Sequence, residues 1–406
     1  MITSWHDLVT FFETNTVKQY SRTSWDRFLK HVNFSYTIPS IHITGTNGKG
    51  STALKLHDIY SLAGYRVGLF TSPSLESYAE MIQINGVPIS ETTFLSMMNE
   101  FLPLFTMFQL TTFEMQTYIA FMCFIRERCS FSVIEVGMGG LTDATNVFIP
   151  ILSILTNVTL EHQAYLGTTI EAIAYQKSGI IKPGIPALVG PSMNDQALAV
   201  ISQIAKEKKS KVHRSIPATQ VSVQKGLTVI WENQTYHLKT NARYQVDNVA
   251  TILTAVTLLE KHYPVSKTII QQAFLMNWMP GRFESFPFKN KQILLDGAHN
   301  PGAIQQLIRS LPRTPNDVLF ACFKDKDLQA MMRFMNQASW PITFTTFLHP
   351  RARKKEDYPQ DCHFIEDPFL AFEQLFQSTS KDSVILITGS LAFIGIMRAY
   401  LKRKMS

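Results

Sequence analysis

Ten consecutive residues have the types and order needed to hold a polyphosphate: Ile43-Thr44-Gly45-Thr46-Asn47-Gly48-Lys49-Gly50-Ser51-Thr52. A strand that runs into a glycine loop and then a helix start presents backbone N–H groups and a positive dipole end to an anion. Thr46, Asn47, Gly48 and Gly50 would form the cradle. Lys49 adds a charge that can reach the β- and γ-phosphates, and Ser51 or Thr52 can sit near Mg²⁺. The spacing is not the common G-x-x-x-x-G-K-[ST], because Gly50 separates Lys49 from Ser51. The bland alternative is a glycine-rich turn that binds nothing. It leaves the lysine and the hydroxyls unexplained.

A second group follows a buried strand. Glu135 closes an apolar run in Ile134-Glu135-Val136-Gly137-Met138-Gly139-Gly140. A carboxylate at the C-terminal end of a parallel strand points into the crevice where such sheets bind ligands. Buried without a partner it would be very costly, so a metal or a cation is expected beside it.

The elements that must position these groups alternate between short apolar runs and amphipathic stretches. Strands are expected at 39–44, 66–70, 131–136, 151–156 and 186–190, and helices at 49–62 and 113–126. Gly64 suits the end of the first of these helices. The alternation implies a mainly parallel sheet. Residues 221–239 differ: two alternating runs flank Lys225-Gly226, which reads as an antiparallel hairpin appended to the first sheet. After helices at 245–262 and 266–277, Pro280-Gly281 breaks the pattern. Beyond it strands (292–295, 317–322, 342–346, 383–388) alternate with helices again, as in a smaller Rossmann-like domain. The expected division is therefore 1–282, a P-loop domain with a small antiparallel appendage, and 283–406, a C-terminal α/β domain.

Composition narrows the classes. The chain has 406 residues, 45% apolar and 17% charged, which excludes a disordered or fibrous chain. The net charge of +7 suits an anionic partner. It is spread over runs without aromatic interleaving, so nucleic acid is not expected. Cys123, Cys129, Cys322 and Cys362 form no CxxC pair, which argues against a disulfide framework or zinc cluster. Asp7, Glu13, Lys18 and Asp26 interrupt the N-terminal stretch, so no secretory signal is expected. No apolar run is long enough to span a bilayer. The expectation is a cytoplasmic protein without membrane contact.

The variant loop GTNGKGS resembles the Mur ligase superfamily, and within it the folylpolyglutamate synthase and dihydrofolate synthase family. The resemblance runs from about Ile41 to Arg398. It implies ATP and two Mg²⁺ ions. Ser72, in Thr71-Ser72-Pro73, matches a Mg²⁺ ligand, Glu135 the central one, and His162, in Glu161-His162, another. Lys177, in Gln176-Lys177-Ser178-Gly179, matches a lysine that the family N-carboxylates to help hold the second ion. Thr142, Asp143 and Ala144, within Asp143-Ala144-Thr145-Asn146, match the segment beside the folate or pteroate site. Asn248, Arg282 and Asp296 match nucleotide contacts. Arg282, an always-charged planar fork, suits a transferring phosphoryl group. His299, in Asp296-Gly297-Ala298-His299-Asn300-Pro301, would serve the glutamate site, which in this family lies between the domains. Asn300, Asp327 and Ser390 read equally as helix caps. The chain departs from the family pattern at Ser74, Leu141, Thr142, Gln176 and Tyr244, where the family usually has His, Arg, Leu, Glu and His.

The implied chemistry is amide formation from a carboxylate. Transfer of a phosphoryl group from ATP gives an acyl phosphate, which the amine of L-glutamate attacks. The acceptor would be a folate, with dihydropteroate also open, and the catalytic groups Lys49, Lys177, His162 and Arg282. A monomer is compatible with this reading. The rivals are an inactive or regulatory nucleotide-binding paralogue, a ligase for another pteridine-like acceptor, and a peptidoglycan Mur ligase. The last carries an extra N-terminal domain, and only 44 residues precede Gly45 here.

Overall fold

The apolar runs become parallel strands covered on both faces. The computed structural model of the chain describes residues 1–15, 22–223, 226–289, 291–380 and 383–405. Lys18 and Lys225, named above, lie outside the described residues. Packing groups them into two units: 1–218 with 247–273, and 219–246 with 274–406.

In the first unit, eight strands form one sheet: β1 (Ser40–Thr44), β2 (Val67–Phe70), β3 (Ile82–Ile84), β4 (Val87–Pro88), β5 (Phe131–Glu135), β6 (Leu152–Leu155), β7 (Ala187–Val189) and β8 (Val212–Arg214). Their order is β4-β3-β2-β5-β1-β6-β7-β8. All pairs are parallel except those of β3, which runs antiparallel to β2 and β4. β1 lies between β5 and β6. The loops after these three strands therefore leave the sheet side by side at one edge, where a doubly wound sheet binds ligands.

The helix Lys49–Leu62 starts directly after β1, and Gly64, at φ +94°, follows its end as expected. The helix Arg22–His31 buries Trp25 and Phe28. Phe28 packs edge-on to Tyr118 at 4.8 Å and against Phe105 and Phe108 at 5.8 Å. Two aromatic side chains of this size, fully buried, contribute roughly 2–3 kcal/mol each. They fix the N-terminal end of this helix beside the loop that follows β5.

In the second unit, β9 (Thr219–Val223), β10 (Leu227–Trp231) and β11 (Gln234–Leu238) form an antiparallel sheet of their own. The expected appendage is thus a separate sheet, and it packs in the second unit. The reason is its buried face: Leu227, Val229, Trp231, Tyr236 and Leu238 point one way, Tyr236 meets Phe274 edge-on, and Lys239 N–H donates to Phe274 O. The remaining strands are β12 (Glu284–Phe288), β13 (Lys291–Asp296), β14 (Asp317–Phe320), β15 (Ile342–Phe344) and β16 (Val384–Thr388), in the order β12-β13-β16-β14-β15. Only the edge strand β12 is antiparallel, and the pattern had not singled it out. Helices cover this sheet, as in a Rossmann-like domain. No helix among the described residues is long and apolar enough to cross a membrane.

Candidate functional site

The glycine loop after β1 is shaped by its neighbours. Gly45 sits at φ +148° and Gly48 at φ +86°. A Cβ on Gly45 would stand 1.8 Å from Thr156 Oγ1, and one on Gly48 would stand 2.3 Å from Asn248 Oδ1. No other residue fits either place. The loop after β6 braces the glycine loop: Asn47 N–H donates to Asn157 Oδ1 at 2.9 Å, and Thr156 Oγ1 donates to Asn47 O at 2.7 Å. Thr159 N–H donates to Thr46 Oγ1 at 3.0 Å. Sequence reading missed Thr156, Asn157 and Thr159. Their signal was position, directly after a buried strand that had to lie beside β1.

Lys49 Nζ folds back to donate to Gly45 O at 2.9 Å and to Thr46 O at 3.3 Å, so its charge stands over the loop. Ser51 and Thr52 are buried in the first helical turn, and Thr52 Oγ1 has no hydrogen-bond partner among the described residues. A cradle closed to any Cβ, a helix N-terminus, an ammonium and an unpaired buried hydroxyl together suit a polyphosphate.

Glu135, 3% exposed at the end of β5, accepts from Ser72 N–H through Oε2 at 3.1 Å. This brings together two of the expected metal ligands, both hard oxygen donors of the kind Mg²⁺ prefers. His162 is exposed, at φ +45°, and starts the short helix Gln163–Leu166. Among the described residues no group of three or more His, Cys, Asp or Glu side chains is gathered for a metal. Lys177 is buried and donates to Glu161 Oε1 at 2.6 Å. Burial, with help from Lys49, lowers its ammonium to about 8 against the pull of Glu161. Burial would raise Glu161, but Lys177 and Lys49 outweigh it and bring the carboxyl to about 2.

The loop after β5 is held from inside by Asp143. Its Oδ2 accepts from Met138 N–H at 2.9 Å, and its Oδ1 accepts from Thr145 N–H at 3.0 Å and from Thr145 Oγ1 at 2.5 Å. Burial foremost raises this carboxyl above its ordinary range. Thr145 Oγ1 also meets His42 Nε2 of β1 at 2.9 Å. Burial pushes that imidazole down to about 3, so it is neutral. Because Thr145 donates to Asp143, His42 must donate through Nε2. Ala144 is buried, whereas Thr142 is exposed. Leu141 N–H donates to Gln176 O, a backbone contact that accepts the departures at both positions. From outside, Arg22 and Trp25 reach the carbonyls of the same loop. Neither residue belonged to a motif.

In the second unit, Asp296 ends β13. Its Oδ2 accepts from Tyr244 Oη at 2.8 Å and from Phe283 N–H at 2.9 Å, and its Oδ1 accepts from Ala298 N–H at 2.9 Å. Burial raises its carboxyl, with Arg282 pulling the other way. Burial, then the Asp296 charge, holds the Tyr244 hydroxyl well above its usual range. Tyr244, a departure from the family pattern, is therefore fully used. Arg282 is half-buried next to this pair. His299 Nδ1 lies 2.7 Å from Gly297 O. Asn300 and Asp327 cap the helices Pro301–Ser310 and Leu328–Gln337, as their bland reading required.

Comparison with known proteins matches both parts of the chain. Residues 43–256 match the Mur ligase middle domain, and residues 281–391 match the Mur ligase glutamate ligase domain. A dihydrofolate synthase/folylpolyglutamate synthase of Bacillus subtilis is 31% identical over 395 residues, covering 90% of this chain and 91% of the relative. A folylpolyglutamate synthase of Lacticaseibacillus casei is 33% identical over 384 residues, covering 88% and 89%. Among solved structures, folylpolyglutamate synthase of Thermotoga maritima superposes with a TM-score of 0.82 at 28% identity, covering 98% of this chain and 96% of that one.

Proposed function

Because the chain belongs to the folylpolyglutamate synthase and dihydrofolate synthase family of the Mur ligases, we propose that it is an ATP-dependent ligase that adds L-glutamate to a folate. Dihydropteroate is a further acceptor for the same site. The observation that carries this reading is the strand order. With β1 between β5 and β6, the glycine loop, Glu135 and the loop 141–146 share one edge of one sheet.

The glycine loop and Lys49 hold the phosphates of ATP, with Asn248 packed against Gly48 on the nucleotide side. Arg282 and Asp296 contact the nucleotide, and His299 serves glutamate. The functional division is 1–282 for ATP and acceptor, and 283–406 for the ligase domain. Ser72, Glu135 and His162 would hold Mg²⁺, and N-carboxylated Lys177 would support a second ion. When bound, the metal supplies positive charge to the phosphates. A lysine lowered to about 8 has a larger neutral fraction than an ordinary one, and N-carboxylation requires the neutral amine. Lys49 and Arg282 stabilise charge on the transferring phosphoryl group without covalent chemistry. The acceptor carboxylate, activated as an acyl phosphate, then takes the glutamate amine and releases phosphate. Thr142, Asp143 and Ala144 belong to the acceptor side. The protein acts as a cytoplasmic monomer on small molecules.

The test uses purified protein with Mg-ATP, glutamate and either dihydropteroate or tetrahydrofolate, reading ADP release and product mass together. Growth by glutamyl units with tetrahydrofolate supports the polyglutamate reading, and growth with both acceptors a bifunctional enzyme. No glutamate-dependent turnover with either would return the inactive-paralogue reading. Full activity of Glu135→Ala would remove the metal assignment.

A further inference from the structure

The helix Arg22–His31 carries none of the site's motifs, yet four carbonyls of the loop after β5 are turned toward it. Arg22 Nη1 donates to Leu141 O at 3.3 Å and to Asp143 O at 3.0 Å. Its Nη2 donates to Asn146 O at 3.0 Å. Trp25 Nε1 donates to Ala144 O at 3.1 Å. Arg22 and Trp25 are three residues apart, so one face of one helix presents both donors. Neither is loose. Trp25 is fully buried and stacks on Phe28 at 5.5 Å, and Arg22 Nε is tied to Asp26 at 3.1 Å.

The two sides of the loop are thus held by opposite chemistries. Asp143 gathers amides on the inside, while a guanidinium and an indole gather carbonyls on the outside. A single guanidinium bridging three carbonyls fixes their relative orientation, which a lysine, as a point charge, cannot do. Within the segment 141–146, Thr142 is the residue whose side chain remains exposed.

We infer that Arg22 and Trp25 are positioning residues for the acceptor: they set the shape of the loop 141–146 and so the affinity for the folate or dihydropteroate, without touching it. This rests on the ligase reading for the identity of the acceptor, but not for the clamp itself. A purely structural anchor would lower stability and leave the ratios of Michaelis constants alone.

The full chain is compared with Arg22→Met, Arg22→Lys and Trp25→Phe. Hydrogen exchange of amides 141–147 is expected to quicken about tenfold in Arg22→Met, as for loss of charged hydrogen bonds of ordinary strength, with glycine-loop amides unchanged. In steady state, KM for tetrahydrofolate or dihydropteroate should rise about tenfold in Arg22→Met and about threefold in Trp25→Phe, which keeps the ring packing. KM for ATP and glutamate should stay within about twofold, and Arg22→Lys should fall between Arg22→Met and the wild type. Unchanged loop exchange overturns the clamp, and a uniform change in all three KM values, or none, overturns its role in positioning. If Arg22→Met does not fold, exchange in Arg22→Lys and Trp25→Phe decides the same question. A wild type without folate-dependent turnover would sink the ligase reading, while exchange would still decide the clamp.

Discussion

Asp143, after β5 in the first unit, and Asp296, at the end of β13 in the second, each accept three hydrogen bonds on a buried carboxylate. Burial raises both carboxyls above their ordinary range. Each takes two backbone amides and one hydroxyl. The difference is reach. The partners of Asp143 lie 5 and 2 residues away in the chain, whereas those of Asp296 include Phe283, 13 residues away, and Tyr244, 52 away. One carboxylate shapes a loop that a second clamp also holds. The other joins three separate segments, Tyr244 among them packed against the core of the second unit. A motif aspartate can therefore build the platform for a ligand as much as contact the ligand, and its cost of removal depends on what else holds the platform.

The largest effect should follow Asp296→Ala. Three buried donors lose their acceptor at once, and the segments cannot relax together, so unfolding should become easier by about 4 kcal/mol. Urea denaturation measures this, and a loss below half that size would break the contrast. Asp143→Ala should cost only about 2 kcal/mol, because Arg22 and Trp25 still hold the loop. Combining it with Arg22→Met should then cost more than the two single losses together, a non-additivity that a double-mutant cycle reads directly. Tyr244→Phe should cost about 1 kcal/mol, since Asp296 keeps both backbone amides.

The smallest expected effect is the pH dependence. A carboxyl raised on folding binds its proton more tightly in the folded state. Its contribution is fully present below the ordinary carboxyl value of 3.8 and is lost as pH rises through the raised folded value. The stability difference between wild type and Asp296→Asn should therefore favour the wild type more as pH falls toward 4, and likewise for Asp143→Asn. A difference that moves the other way would mean that hydrogen bonds, not burial, govern these two carboxyls.

Much of the fold was legible because its signals are local. The buried strands, the helix after the glycine loop and the caps at Asn300 and Asp327 follow from apolar runs, glycine placement and side-chain capping within a few residues. Ser72 and Glu135 were each singled out by a local motif, and the fold sets Ser72 N–H 3.1 Å from Glu135 Oε2. The edge strand β12 was not legible, because Pro287 sits inside a five-residue run and demotes its strand signal. The sheet of β9, β10 and β11 was recognised as antiparallel but expected as an appendage to the first sheet, whereas it forms a sheet of its own, since alternation says which face is buried and not what buries it.

The sequence by itself determined the alternating α/β architecture and the glycine loop after β1, and singled out the residues proposed to do chemistry, because those depend on residue type and short spacing. Only the tertiary structure decided which strand neighbours which, and with it the bracing of Asn47 by Thr156 and Asn157, the clamp of Arg22 and Trp25, and the bond from Tyr244 to Asp296. Contacts of that kind join residues far apart in the chain, and no local preference encodes them: they exist because burial brings the segments together and every buried polar group must then find a partner.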